Sequence, residues 1–179
     1  LEALVYRDLD TVVSKAEAAK YYQENKQAFK LNEDLIKFRY INIDENRLDF
    51  KEVKQKFLRF NTKDKQDLNE IAIQFKSYSL NDSIWIRLGQ VITKIPTVTP
   101  ENKNELLKKS NFIQSKDSLG LYLMQINDVL LRNDEAPLEY VQPTIKQIVV
   151  NKRKLELIRQ LKKDITKDAI KNKQFEIYN

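Results

Sequence analysis

Apolar and polar residues follow two distinct periods along the chain. Apolar residues spaced three and four positions apart predict amphipathic helices. These helices lie at 1–12, 14–29, 47–60, 65–76, 99–109 and 137–173. Alternation at every second residue predicts strands, which lie at 36–43, 111–114, 119–130 and, at the end of the chain, 174–178. This order predicts an α+β fold in which a small antiparallel sheet is flanked by helices.

Local signals define two of the predicted helix starts more closely. Ser14 and Glu17 have the spacing of a capping box, in which each side chain bonds to the other residue's backbone amide. Thr99 followed by Pro100 supplies a capping hydroxyl and a proline at the first helical position. The long last helix carries an apolar stripe that we expect to be buried, and a break near Thr166 is left open. The stripe consists of Ile145, Ile148, Leu155, Ile158, Leu161 and Ile165.

Composition excludes several kinds of catalytic and metal site, and it says less about the binding partners. The 179 residues contain neither histidine nor cysteine, so disulfides, thiol nucleophiles, thiolate metal sites and an imidazole base are excluded. We therefore expect no metal and no cofactor. The net charge is +6, but basic and acidic residues are interleaved along the chain, which favours a solvated surface over a nucleic-acid site. No apolar run approaches the ~18 residues of a membrane span.

Several short stretches together resemble one family. The segment Tyr21–Phe29, the strands at 38–43 and 120–126, and Gly89 followed by Gln90 occur in the order found in SurA/PrsA-like periplasmic foldases. The resemblance implies a degenerate parvulin-type peptidyl-prolyl isomerase domain at 35–132. That domain would be inserted in a helical chaperone-like module formed by 1–34 and 133–179, whose N-terminal part we take to be incomplete. The chain begins at Leu1, and we interpret it as a mature or truncated fragment whose origin in an exported precursor stays open.

The resemblance also implies a site. Tyr40 and Tyr122 stand where parvulins carry their two histidines, and Val91 and Ile95 stand at the positions that cradle the substrate proline. Trp85 matches the family's tryptophan, although the glycine-rich turn before it is shortened and Asp82 is the nearest candidate for its acidic position. These matches imply a peptide-binding pocket without catalytic residues.

A plainer interpretation stands beside this one. The two tyrosines, Trp85, Val91 and Ile95 can also be core residues, with the tyrosine hydroxyls bonded inside the fold. Asp82 then serves as a turn residue, and the adjacent Tyr21 and Tyr22 pack a helix instead of holding a peptide.

Together these observations predict a SurA-like chaperone of the bacterial periplasm or cell envelope. It would bind unfolded or outer-membrane client polypeptides through apolar contacts and through main-chain hydrogen bonds at a sheet edge. An active isomerase with a remodelled pocket and a structural scaffold subunit without client binding are the alternatives. Apolar surface on the N-terminal helices also makes a homodimer an expectation.

Overall fold

A computed structural model describes residues 2–108 and 110–178, together with the side chains of these residues up to 173. Helices cover Glu2–Asp8 (α1), Lys15–Glu24 (α2), Phe50–Arg59 (α3), Thr62–Ile71 (α4), Leu88–Lys94 (α5), Lys103–Leu106 (α6) and Leu138–Tyr178 (α7). Strands cover Leu35–Ile43 (β1), Ser77–Ser79 (β2), Ile86–Arg87 (β3), Asn111–Asp117 (β4) and Gly120–Leu130 (β5). The α+β fold class is confirmed.

The strands form one antiparallel sheet. Its order is β2-β1-β5-β4, and β3 pairs with the same side of β1 as β2, at the other end of that strand. The two long predicted strands are therefore direct neighbours, with Tyr40 opposite Met124 and Asn42 opposite Tyr122. β1 is buried along almost its whole length because helical segments cover both faces of the sheet.

Two apolar clusters hold these layers together. On one face, Ile36 and Phe38 pack with residues of α5 and of the segment that follows it. On the other face, Ile41 and Ile43 pack against Phe57 of α3 and other residues of α3 and α4. The alternation of side chains along β1 thus supplies both cores at once.

The chain divides into two compact units. One contains residues Lys30–Glu135, and the other combines Leu1–Phe29 with Ala136–Asn179. The assignment of 35–132 to a parvulin-like domain, and of 1–34 with 133–179 to a chaperone-like module, stays a prediction.

Within the helical unit, α7 is the element on which the other helices pack. Val141, Ile145 and Val149 bury one side of its first half. Arg153 anchors the segment before α2: its Nη1 donates to the carbonyl oxygen of Val12 at 2.7 Å, and its Nη2 donates to Oε2 of Glu17 at 2.6 Å. The guanidinium group therefore fixes this connection and the start of α2 to α7.

The last helix departs from two sequence predictions. The strand predicted at 174–178 is wrong, because the backbone continues as α7 to Tyr178. The helix is also unbroken at Thr166, whose hydroxyl donates back to the carbonyl oxygen of Lys162. Burial of the predicted stripe ends early: Leu155 is already exposed, and so is every side chain from 162 to 173, Ile165 included. Because the side chains around Thr166 face solvent, no packing contact requires the helix to break there.

The predicted caps were partly correct. Ser14 accepts a hydrogen bond from the amide of Glu17, but the Glu17 carboxylate bonds Arg153, so only half of that capping box forms. The complete capping box is at Asn61 and Asp64, where α4 begins three residues before the predicted start. Thr99 accepts from the amide of Asn102, and α6 itself begins only at Lys103.

Candidate functional site

The central strands bring the two predicted tyrosines onto one face of the sheet. Tyr40 on β1 is 3% exposed and Tyr122 on β5 is 1% exposed. The ring of Tyr40 stacks on Phe38 with a centroid separation of 5.9 Å and an interplanar angle of 16°. Both rings are therefore part of the packed interior of this unit.

Helix α5 adds the next two predicted residues. Val91 lies within α5 and Ile95 caps its C-terminal end, and both belong to the same buried cluster as the tyrosines. Met124 and Leu88 are also members of that cluster. The structure thus brings together four of the five predicted site residues, in a packed apolar cluster that a peptide would have to open before it could enter.

Trp85 lies apart from this cluster. It is partly exposed and sits just before β3, and the ammonium group of Lys37 lies over its ring at 4.8 Å from the centroid. The indole ring is thus accessible at the surface of the sheet edge. Peptide binding by these five residues stays a prediction.

The Tyr122 phenol in this cluster is unsuited to proton transfer near neutral pH. Burial raises the pKa of the Tyr122 phenol above its usual value, and the nearby Asp117 carboxylate raises it further through its charge and a hydrogen bond. The phenol consequently stays neutral, whereas a general base must be able to accept a proton at the working pH. At Tyr122 the geometry therefore offers shape and apolar contact without a proton acceptor.

An unpaired polar atom lies at the end of the same sheet face. Asn42 is 4% exposed, and its Oδ1 is buried without a hydrogen-bond partner among the described residues. Gly120 lies against it, with a positive φ of 141°; a Cβ atom at this position would come within 2.3 Å of the Asn42 Oδ1. The glycine is therefore required both by its backbone conformation and by the neighbouring amide.

Asp82, the candidate for the family's acidic position, has a structural partner. Arg39 on β1 donates from Nη1 to Oδ2 of Asp82 at 2.8 Å and from Nη2 to the carbonyl oxygen of Phe57 at 2.8 Å. The guanidinium carbon also lies 4.0 Å from the centroid of the Phe60 ring. Desolvation by burial lowers the pKa of Arg39, although the bond and the charge of Asp82 oppose this. The arginine was missed from sequence; the signal for it was a charge on an otherwise apolar strand face.

An open cleft of about 560 Å³ borders the loop that Asp82 occupies. Its walls come from β2, from residues 80–83 and from the exposed side of α4. The lining residues are Lys65, Asn69, Tyr78, Ser79, Leu80, Asn81, Asp82 and Ser83. This concave surface lies beside the sheet edge and does not include the predicted pocket residues.

The helical unit exposes large apolar side chains. Leu155 on α7 is 67% exposed, and Ile165 and Ile170 further along the same helix are 57% and 54% exposed. The N-terminal segment adds further residues of the same kind, namely Leu4, Tyr6 and Val12. These side chains are spread along α7 and the N-terminal segment, where each is available for contact with another polypeptide.

Two kinds of feature, a metal-binding group of acidic residues and a membrane-spanning helix, are not found among the described residues. Within 2–108 and 110–178, no group of three or more acidic residues is arranged to hold a metal ion. None of the helices described in these ranges combines the length and the apolar character needed to cross a membrane.

Comparison with known proteins finds distant structural similarity. No protein-family model matches the chain, and no curated protein matches it significantly. A solved structure from Campylobacter jejuni aligns with a TM-score of 0.34 and 12% identity. Its description reads that the virulence factor PEB4 and the periplasmic protein Cj1289 "are two structurally-related SurA-like chaperones". The alignment covers 93% of this chain and 65% of that one, so this chain spans less than two thirds of its length.

Proposed function

We propose that the protein is a chaperone of the bacterial cell envelope that binds unfolded client polypeptides. The observation that carries this proposal is the exposed apolar surface of the helical unit, with Leu155, Ile165 and Ile170 on α7. An unfolded chain presents apolar side chains, and burying them against such a surface is favourable by about 25 cal/mol per Å². The resemblance of the sequence to SurA/PrsA-like foldases supports the periplasmic placement and the class of client.

In this proposal the parvulin-like part contributes binding but little or no catalysis. The raised pKa of the Tyr122 phenol leaves it unable to accept a proton at neutral pH, and the cluster around the two tyrosines is filled mostly by aliphatic side chains. Prolyl isomerisation needs no covalent step, so an active isomerase would have to favour the twisted amide by shape alone. The packed cluster argues against that alternative.

The test is suppression of aggregation of an unfolded outer-membrane-type protein without nucleotide. The triple variant Leu155→Ser, Ile165→Ser and Ile170→Ser removes apolar surface from α7. We expect it to need roughly tenfold more protein for the same suppression, while its melting temperature is unchanged because these side chains are exposed. A matched control replaces Lys163, Lys167 and Lys171 by serine on the same helix and should suppress aggregation as the wild type does.

The salt dependence of binding distinguishes this function from its alternatives. Apolar binding should persist between 50 and 300 mM salt, over which exposed charges become screened beyond ~6–14 Å. Binding to nucleic acid would instead fall steeply through counterion release. If neither the wild type nor the variants suppress aggregation at any salt concentration, the scaffold interpretation replaces the chaperone. Light scattering in the same buffers tests whether a second copy covers the apolar surface of α7.

A further inference from the structure

The outer side of β4 is an unpaired sheet edge. The strand covers Asn111–Asp117 and pairs with β5 on one side. In the part of the unit 30–135 that the structure describes, no strand pairs with its other side. An edge strand of seven residues presents backbone N–H and C=O groups that another extended chain can satisfy.

The register identifies which backbone groups point outward. Asp117 pairs with Gly120 across a two-residue turn, so these two residues close the hairpin as a hydrogen-bonded pair. Antiparallel pairs alternate between hydrogen-bonded and non-hydrogen-bonded. Ser115 and Ile113 therefore bond to β5, whereas the intervening residues direct their N–H and C=O groups away from it. These outward residues are Phe112, Gln114 and Lys116.

The one lysine of β4 does not protect this edge, because its side chain points away from it. Proteins commonly guard exposed edges with a lysine or a proline, and β4 contains no proline. Its one lysine, Lys116, is opposite Leu121, which is itself opposite Ile43 on β1. The ammonium group of Lys116 bonds to Glu45, which follows β1, so this side chain extends back across β5 and not beyond the edge.

An apolar side chain also lies beside the outward groups. Phe112 is partly buried against Phe57 of α3, with ring centroids 6.3 Å apart. The ammonium group of Lys54 lies 5.9 Å from the Phe112 centroid. An added strand would place alternate side chains next to this ring. Gln114, at the centre of the edge, is exposed to solvent.

We infer that this edge binds an extended segment of a client polypeptide, which adds a strand to the sheet through Phe112, Gln114 and Lys116. This inference rests on the proposed function for the class of ligand. The ligand is recognised by its main chain, which every unfolded polypeptide shares, and a β-branched or aromatic residue is favoured beside Phe112.

The first experiment changes the edge backbone at one position. Gln114→Pro removes an outward N–H group and places the proline ring where a partner strand would lie, without removing a bond to β5. Gln114→Ala changes the same side chain and keeps the amide. With a fluorescein-labelled ten-residue peptide rich in valine and threonine, we expect binding at least tenfold weaker for the proline variant and within twofold of wild type for the alanine variant. Equal binding by all three proteins would overturn the inference.

The second experiment changes the peptide and needs no variant to fold. Two versions are N-methylated at alternate residues, in the two possible phases. Strand pairing predicts that one phase binds at least tenfold more weakly than the other, because only one set of amides faces β4. An equal loss in both phases would overturn the edge site. A homodimer that is abolished by Gln114→Pro and kept by Gln114→Ala would also overturn the client site, since the edge would then be occupied by a second copy.

Aggregation suppression by the wild type, measured alongside, keeps the two proposals separate. Suppression combined with an equal loss in both methylation phases overturns the edge site and leaves the proposed function standing. Absence of suppression overturns the proposed function, and unequal phases would still support the edge as a binding site for extended peptides.

Discussion

The guanidinium group of Arg39 donates a hydrogen bond to the carboxylate of Asp82 over 2.8 Å, and both side chains are largely buried. This pair joins the central strand to the loop between β2 and β3. A charge in such a position is stable only while its partners remain, because desolvation of an unpaired ion is costly. The pair therefore explains how a loop without glycine is held in one place.

Removing the carboxylate should destabilise the unit 30–135 strongly. We expect Asp82→Ala to lower its free energy of unfolding by about 3 kcal/mol, since a buried guanidinium group loses its counter-charge. Urea denaturation followed by Trp85 fluorescence measures this. The control is Glu33→Ala, which breaks a 3.6 Å pair between Glu33, whose side chain is 36% exposed, and Arg87, whose side chain is 55% exposed. This variant should change stability by less than about 1 kcal/mol. Equal effects would show that the Arg39 pair is not structural.

The two glycines of the chain should respond oppositely to alanine. Gly120→Ala places a methyl group 2.3 Å from the Asn42 Oδ1 at a positive φ, so we expect a loss of more than about 1 kcal/mol. Gly89→Ala lies within α5, and its new methyl group would be 3.7 Å from the nearest atom, on Glu33. We expect it to be neutral or to stabilise by up to about 1 kcal/mol. Thermal unfolding of both variants decides, and a tolerated alanine at 120 would contradict the close approach.

Stability of the unit 30–135 should fall in acid. The hydrogen bond from Arg59 lowers the pKa of Asp64, and that from Arg47 lowers the pKa of Asp49. Both carboxylates bind protons less readily in the folded than in the unfolded chain, whose aspartates titrate near pH ~3.9. Their contribution is therefore present above that pH and is lost as the pH falls through the lower folded-state pKa.

Asp64→Asn checks this origin. The variant should be less stable at pH 7 and should lose less further stability between pH 5 and pH 2.5 than the wild type. Asn replacement of the exposed Asp168 on α7 serves as the control and should leave the acid profile unchanged. An identical acid profile for Asp64→Asn would assign the loss to other groups.

Positions along α7 should differ sharply in their effect on stability. Ile145 is fully buried, and its replacement by alanine should destabilise the helical unit by about 2–5 kcal/mol. Ile165 is 57% exposed, and the same replacement should change stability by less than about 0.5 kcal/mol. Thermal unfolding monitored by helical circular dichroism measures both. A large loss at Ile165 would mean that a second copy buries it in solution.

Prolyl isomerase turnover should be negligible. A protease-coupled assay on Xaa-Pro peptides should give a rate within error of the uncatalysed reaction, because the chain lacks the family's two histidines and the Tyr122 phenol stays neutral. The variant Tyr40→Phe should behave identically. A substantial rate that this substitution removes would instead support an isomerase with a remodelled pocket.

Sequence predicted the long elements because their signals are periodic and local. The strands at 36–43 and 119–130 are nearly as observed, since strict alternation on a buried strand leaves few other solutions. The segment 174–178 alternates in the same way, yet it continues a helix. In five residues at the end of a 41-residue helix, propagation of the existing helix outweighs a weak strand preference.

The candidate site was less accessible to sequence reasoning. The positions of Tyr40 and Tyr122 followed from the strands, but their burial depends on Val91, Ile95 and other distant residues that fill the space around them. The partner of Arg39 was also unpredictable, because Asp82 lies 43 residues away in a loop whose path depends on that same bond. Long-range contacts of this kind are set by packing and not by local pattern.

The ends of the unit 30–135 meet: the amide of Leu31 donates to the carbonyl oxygen of Asp134 at 2.9 Å, and that of Asn133 donates to the carbonyl oxygen of Leu31. This closure bears on the entropy of assembling the helical unit. The segments that make up the helical unit are about a hundred residues apart along the chain, a separation with an appreciable loop-closure entropy when the intervening residues are unfolded. Once those residues have folded, Phe29 and Ala136 are adjacent, as their 2.7 Å backbone bond requires. Folding of the intervening residues therefore lowers the entropy cost of bringing α2 and α7 together.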